Sequence, residues 1–112
     1  MTGLNKITLL DFIEQLNKTK LPVLVEGKND KKALINIGVV NPVYTLSGKP
    51  LYKVAEQLSD YKEIIFLFDN DKAGHDLSSK MAKEFSRLGV RVNKRFQTLL
   101  KRLHFAHVEG IQ

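Results

Sequence analysis

Two short apolar runs constrain this chain more than any other feature of it. The first, in "LPVLVEG", stops at Glu26; the second, in "EIIFLFD", holds five apolar residues in succession before Asp69. Runs this brief, β-branched and apolar at every position mark strands buried on both faces. Weaker strand signals follow at residues 43–46 and in "VRVN" at residues 90–93. Elsewhere apolar residues recur at helical spacing: Leu9, Phe12, Ile13 and Leu16, then Leu51, Val54, Ala55, Leu58 and Tyr61. The same spacing returns in Ala73, Leu77, Met81, Phe85 and Leu88, and in Phe96, Leu99, Leu100 and Leu103. "NDKKALINIG" supplies a further helix, with Asn29 or Asp30 as its N-cap and Gly38 as its terminator. Thr8 and Asp11 make a capping box for the first helix. A helix followed by four strand–helix units predicts an α/β fold, a parallel sheet of about four strands covered by helices in three layers.

At 112 residues the chain is long enough for one core and too short for two, so residues 1–112 are expected to form a single domain. No apolar run approaches the roughly 20 residues of a membrane span. "MTGLNKITLL" lacks the basic start and small-residue cleavage site of a secretory signal. The absence of cysteine excludes disulfides, thiolate metal sites and a cysteine nucleophile, and fits a cytoplasmic location. The net charge of +6 is unevenly spread: from Val90 onward, Arg91, Lys94, Arg95, Lys101 and Arg102 stand against Glu109 alone. A basic helix at about residues 94–104 puts Lys94, Arg95, Lys101 and Arg102 away from its apolar stripe. There they could follow a nucleic-acid backbone or simply solvate the surface. "HVEGI" reads as a final extended segment.

In an open parallel sheet, ligands bind beyond the carboxyl ends of the strands, where the strand order reverses. Glu26 and the pair Asp69 and Asp71 stand at two such ends. If their strands are neighbours, three carboxylates meet, and like charges so close do not all stay ionised unaided. A divalent cation resolves the conflict, and oxygen-only ligands favour Mg²⁺ or Mn²⁺. Mg²⁺ keeps waters and meets one or two carboxylates plus substrate phosphate, so the pattern points to a phosphate-bearing substrate. Gly74 would let the backbone turn sharply there, or let a ligand come close. Aspartate is also a turn former and a helix-start residue, which accounts for Asp30 and Asp76 and would serve equally for Asp71. Asp69, closing an unbroken apolar run, is harder to explain as a cap. Phosphatases of the haloacid dehalogenase type place Asp-x-Asp after the first strand, and receiver domains use an adjacent acidic pair. Here the pair follows the third strand with Lys72 next, and Glu26 stands alone, which departs from both patterns without excluding either; a Gly-Lys-Ser/Thr phosphate loop is absent.

Taken together, "VLVEGKNDKKAL" and "IIFLFDNDKAGHDL" resemble the two motifs of the Toprim domain. That domain is shared by topoisomerases, bacterial-type primases, overcoming-lysogenization-defect nucleases, recombination-repair proteins and the ribonuclease that matures 5S ribosomal RNA. Glu26, Gly27 and Asp30 match the first motif, and Asp69, Asp71 and Gly74 the second. The resemblance covers a motif-bearing core of about residues 20–93. It implies a Rossmann-like sheet, Mg²⁺ held by Asp69 and Asp71, and phosphotransfer on nucleic acid, either RNA or DNA. Glu26 becomes a general acid/base or a further metal ligand, and Gly27 and Gly74 become residues that shape the backbone. The small size most resembles stand-alone Toprim proteins of archaea and the 5S rRNA maturase group.

The expected function is therefore a Mg²⁺-dependent nuclease, with RNA processing as one form. Lys28 and Lys72 flank the acids and could hold phosphate, or be solvated loop lysines. His75 is a secondary candidate for touching substrate, whereas His104 and His107 fit surface or packing positions. Of the three tyrosines, Tyr44 and Tyr61 fall in or near core stripes, and neither a topoisomerase tyrosine domain nor a primase zinc finger is in evidence. The alternatives are a non-catalytic module that binds nucleic acid or docks a partner (a second copy included) and a small-molecule phosphatase.

Overall fold

The computed structural model describes residues 8–103; His104, His107 and "HVEGI" lie outside the described residues. The elements in chain order are α1 (Leu9–Thr19), β1 (Val23–Val25), α2 (Lys28–Asn36), β2 (Val43–Thr45) and α3 (Leu51–Gln57). They continue with β3 (Glu63–Phe66), α4 (Lys72–Arg87), β4 (Arg91–Asn93) and α5 (Arg95–Arg102). The strands form one sheet in the order β2-β1-β3-β4, every pair parallel. Val23 lies opposite Val43 on one side and Ile65 on the other. The chain thus runs outward from β1 to β2, crosses back, and runs outward the other way from β3 to β4. The order reverses between β1 and β3, whose apolar runs are the two that end in acids. That reversal is where such sheets bind ligands.

Alternation along the strands divides the core into two. Val23 and Val25 point, with Ile65 and Leu67, toward Phe12, Leu16, Leu34, Phe96 and Leu100 of α1, α2 and α5. Leu24, Ile64 and Phe66 point toward Val54, Leu58, Met81 and Phe85 of α3 and α4. All the residues of β1 are fully buried, as strands covered on both faces require. The three-layer parallel α/β architecture expected from the sequence is the one observed.

The local differences have physical causes. Thr8 and Asp11 form the expected capping box. The N-cap of α2, however, is Gly27 rather than Asn29 or Asp30. The helix starts as soon as β1 ends, so Asp30 acts from inside the first turn, its Oδ2 accepting the Gly27 N–H at 3.0 Å. β3 is shorter than its apolar run, with Leu67 and Phe68 continuing as buried backbone. Asn41 is buried and pins the end of α1 to the start of β1, donating to the Leu16 and Leu21 carbonyls at 3.1 and 2.9 Å.

Candidate functional site

The pairing of β1 with β3 persists beyond the last residue of β3. Leu67 donates its N–H to the Leu24 carbonyl at 3.0 Å, which carries Phe68 and Asp69 alongside Val25 and Glu26. The Asp69 N–H then donates to Glu26 Oε1 at 3.0 Å. A carboxylate at one strand end therefore grips the backbone of the other. Burial pushes the Glu26 carboxyl above its ordinary 4.5; the Asp69 N–H opposes this, and the charges of Asp69, Asp30 and Asp71 add to it. Three acids thus act on Glu26 at the reversal of the sheet.

Asp71 stands at the N-cap of α4, its Oδ1 accepting the Gly74 N–H at 2.7 Å. The capping role that the sequence left open for this residue is realised, and its charge sits at the positive end of the helix. Gly74 is buried in the first turn, and a Cβ built on it would lie 1.9 Å from the Asp69 carbonyl oxygen. Of the two roles open to Gly74, a sharp turn or the approach of a ligand, this contact fits the first: the obstructing neighbour is the chain's own backbone. The backbone-shaping role expected of Gly27 is corrected. Its φ of −146° is extended backbone that any residue adopts, and a Cβ there meets nothing nearer than Asp30 Oδ2 at 4.0 Å.

The donor set of Glu26, Asp69 and Asp71 consists of carboxylate oxygens alone, the chemistry that suits Mg²⁺ or Mn²⁺. Among the described residues, however, no three His, Cys, Asp or Glu side chains stand close enough to hold a metal ion. The cage of three carboxylates expected from the sequence is not closed, because Asp71 turns to cap α4 and Glu26 turns to the Asp69 N–H. Mg²⁺ needs only one or two protein carboxylates, so this set still fits the ion.

Two variants separate these roles. Asp71→Ala is expected to lower unfolding stability by about 1 kcal/mol through loss of the cap, whereas Asp71→Asn, itself a good cap, leaves it near the wild-type value. Urea unfolding in chelator reads both, and equal losses would contradict the capping geometry. For Glu26 the raised pKa means that the folded state binds its proton more tightly than the unfolded chain does. Ionising Glu26 therefore costs stability as pH rises from about 4.5 through the folded pKa. Glu26→Gln is expected to be more stable than wild type at pH 7 in chelator, with the advantage vanishing below about pH 4. Thermal melts across that range check it; an advantage independent of pH would contradict it.

The cations fall into separate groups. Lys28 is exposed and lines, with Glu26, Asn29, Asp30 and Ser47, an open cleft of about 590 Å³. Lys72 is exposed in the first turn of α4. Lys94 caps α5, while Lys101 and Arg102 are exposed at its far end, about 10 Å along the axis. Arg95 is exposed as well, with its guanidinium 5.2 Å from the Phe96 ring centre and donating to Gln15 Oε1 at 2.5 Å. His75 places Nε2 2.7 Å from Asn70 Oδ1, beside the acids. The Tyr44 and Tyr61 hydroxyls are hydrogen-bonded to each other at 2.6 Å, and both rings pack on the core around Leu24 and Phe66.

One residue of the site escaped the sequence. The Gln97 amide pairs with the backbone of Phe68, Oε1 accepting its N–H at 2.7 Å and Nε2 donating to its carbonyl at 2.5 Å. It stands in for a strand partner next to Asp69 and ties α5 to the end of β3. A glutamine on a helix carries no local pattern that announces such a pairing across 29 positions.

Comparison with known proteins agrees with this fold. The family model of the Toprim domain matches residues 22–106. A UPF0292 protein of Thermococcus gammatolerans is 32% identical over 103 residues, which cover 92% of this chain and 77% of that one. A UPF0292 protein of Methanocaldococcus jannaschii is 33% identical over 93 residues, covering 80% and 73%. A solved structure of a protein from Aquifex aeolicus superposes with a TM-score of 0.86 at 36% identity, covering 95% of this chain and 100% of that one.

Proposed function

Because this chain belongs to the Toprim domain family, we propose that it is a Mg²⁺-dependent nuclease whose reacting phosphodiester lies against Glu26, Asp69 and Asp71. The domain itself implies a metal-binding function related to nucleic acid. The observation that carries the finer reading is the 3.0 Å hydrogen bond from the Asp69 N–H to Glu26 Oε1, which joins two acid-bearing strand ends at the reversal of the sheet.

Asp69 and Asp71 would hold the cation and Glu26 would complete its surroundings. When bound, the cation supplies Lewis acidity toward a phosphoryl oxygen and an acidified water. Glu26, whose proton affinity is raised by burial and by its acidic neighbours, is suited to take a proton from the attacking water or return one to the leaving oxygen. Lys28 lines the cleft with Glu26 and Asp30, and Lys72 follows Asp71 in the first turn of α4, where both would attract and steady the flanking phosphates. The exposed Lys94, Lys101 and Arg102 would extend that attraction along α5, and their share should weaken as salt rises.

The test is a cleavage panel of single- and double-stranded RNA and DNA, with Mg²⁺ or Mn²⁺ and with chelator. Cleavage of at least one substrate is expected with metal and none with chelator, and Asp71→Asn should abolish it while leaving the fold intact. Failure to cut any member of the panel overturns the proposal. The capping of α4 by Asp71 favours one second reading, a non-catalytic module in which that acid is structural. That module would show salt-sensitive binding that survives Asp71→Asn, without turnover.

A further inference from the structure

A second cavity, of about 220 Å³, opens on the other flank of Asp69, between the N-terminal half of α4 and the first turn of α5. Its floor includes the fully buried Phe68. Its walls bring together hydroxyls from Ser78 and Ser79 on α4 and from Thr98 on α5, with Lys94 and His75 beside them. Among the lining residues only Asp69 is an acid. The volume falls below that of pockets for drug-sized ligands. It suits one small polar group rather than a base with its sugar.

The chemistry of the walls selects that group. The Ser78 and Ser79 hydroxyls and the Lys94 ammonium can donate hydrogen bonds, the Thr98 hydroxyl can do so by giving up its 3.4 Å bond to the Lys94 carbonyl, and Lys94 marks the start of α5, the positive end of its dipole. We propose that this cavity is a phosphoryl-group subsite. Within the nuclease reading, on which this choice of ligand rests, it takes the backbone phosphate that neighbours the one at Glu26 and Asp69. Asp69 is common to both places, lining this cavity while its N–H reaches Glu26, so the two phosphates would be close along one strand. The paired hydrogen bonds of Gln97 to Phe68 hold the floor, which keeps the donors in place before a ligand arrives.

The test is a ¹⁵N–¹H NMR titration of the full chain in chelator, with inorganic phosphate in one arm and a dinucleotide carrying a single phosphodiester in the other. Saturable shifts at the amides of Ser78, Ser79, Lys94 and Thr98 are expected in both arms. Lys94→Gln should weaken phosphate binding about fivefold or more, and Thr98→Val should weaken it as well. Lys80→Gln, an equal loss of charge elsewhere on α4, should leave it unchanged. A response to inorganic phosphate but not to the dinucleotide overturns the backbone-phosphate assignment. No saturable shift, or equal weakening by Lys80→Gln and Lys94→Gln, overturns the subsite. Neither metal nor turnover enters this experiment, so a failed cleavage panel and a failed titration are distinguishable.

Discussion

Gly74→Ala is expected to lower the midpoint of thermal unfolding by about 10–20 °C. The added Cβ would lie 1.9 Å from the Asp69 carbonyl oxygen, 2.8 Å from its carbon and 3.2 Å from its nitrogen. All three are backbone atoms, so no side-chain rotation relieves the overlap. The Asp69 backbone cannot retreat cheaply either, because its N–H is held by Glu26 and the preceding residue is clamped by Gln97. Relief must come from moving the start of α4 away from the end of β3, which breaks the Asp71 cap or the Glu26 contact. Overpacking of this kind typically costs about 1–3 kcal/mol and more where backbone opposes it. Calorimetry on both proteins in chelator reads the effect. A midpoint within about 2 °C of wild type would mean that α4 and β3 do not approach as described.

Asp69→Asn is expected to reduce metal-dependent cleavage at least about 10³-fold while leaving the protein folded. The amide keeps the shape of the carboxylate and weakens its hold on a hard cation. Removing one negative charge beside Glu26 also relieves a repulsion, so the variant should melt at or above the wild-type temperature in chelator. Adding Mg²⁺ or Mn²⁺ should raise the wild-type midpoint and leave that of the variant nearly unmoved, since only the wild type binds the ion tightly. Rates under single turnover, with melts run beside them, separate lost chemistry from lost folding. Cleavage within about tenfold of wild type would remove Asp69 from the site.

Most of the framework could be read from the chain because it is written in local patterns. Val23, Leu24 and Val25 are β-branched or apolar in succession, the mark of a strand covered on both faces, and Glu26 and Asp69 stand where those runs stop. Parallel pairing then follows from the strand–helix rhythm, but not which strands are neighbours; the sheet order supplies that β1 lies beside β3. What stayed hidden depends on contacts across the fold. That the turn calls for glycine at Gly74 was legible, but not that the Asp69 carbonyl five positions earlier is what lies against it. Gln97 and Asn41 satisfy buried backbone groups 29 and about 20 residues away, and nothing beside them in the sequence marks that duty. Asp71 was ambiguous for a sound reason, since the same carboxylate suits a helix start and a cation, and the geometry gives it the first role without removing the second.

Anomalous diffraction from crystals soaked in manganese tests the central claim most directly. The account predicts a peak at the carboxyl ends of β1 and β3, about 2.0–2.2 Å from oxygens of Asp69 and Asp71 and near Glu26, and lost in Asp69→Asn. A well-ordered site with no peak there, or a peak that survives Asp69→Asn, would contradict it.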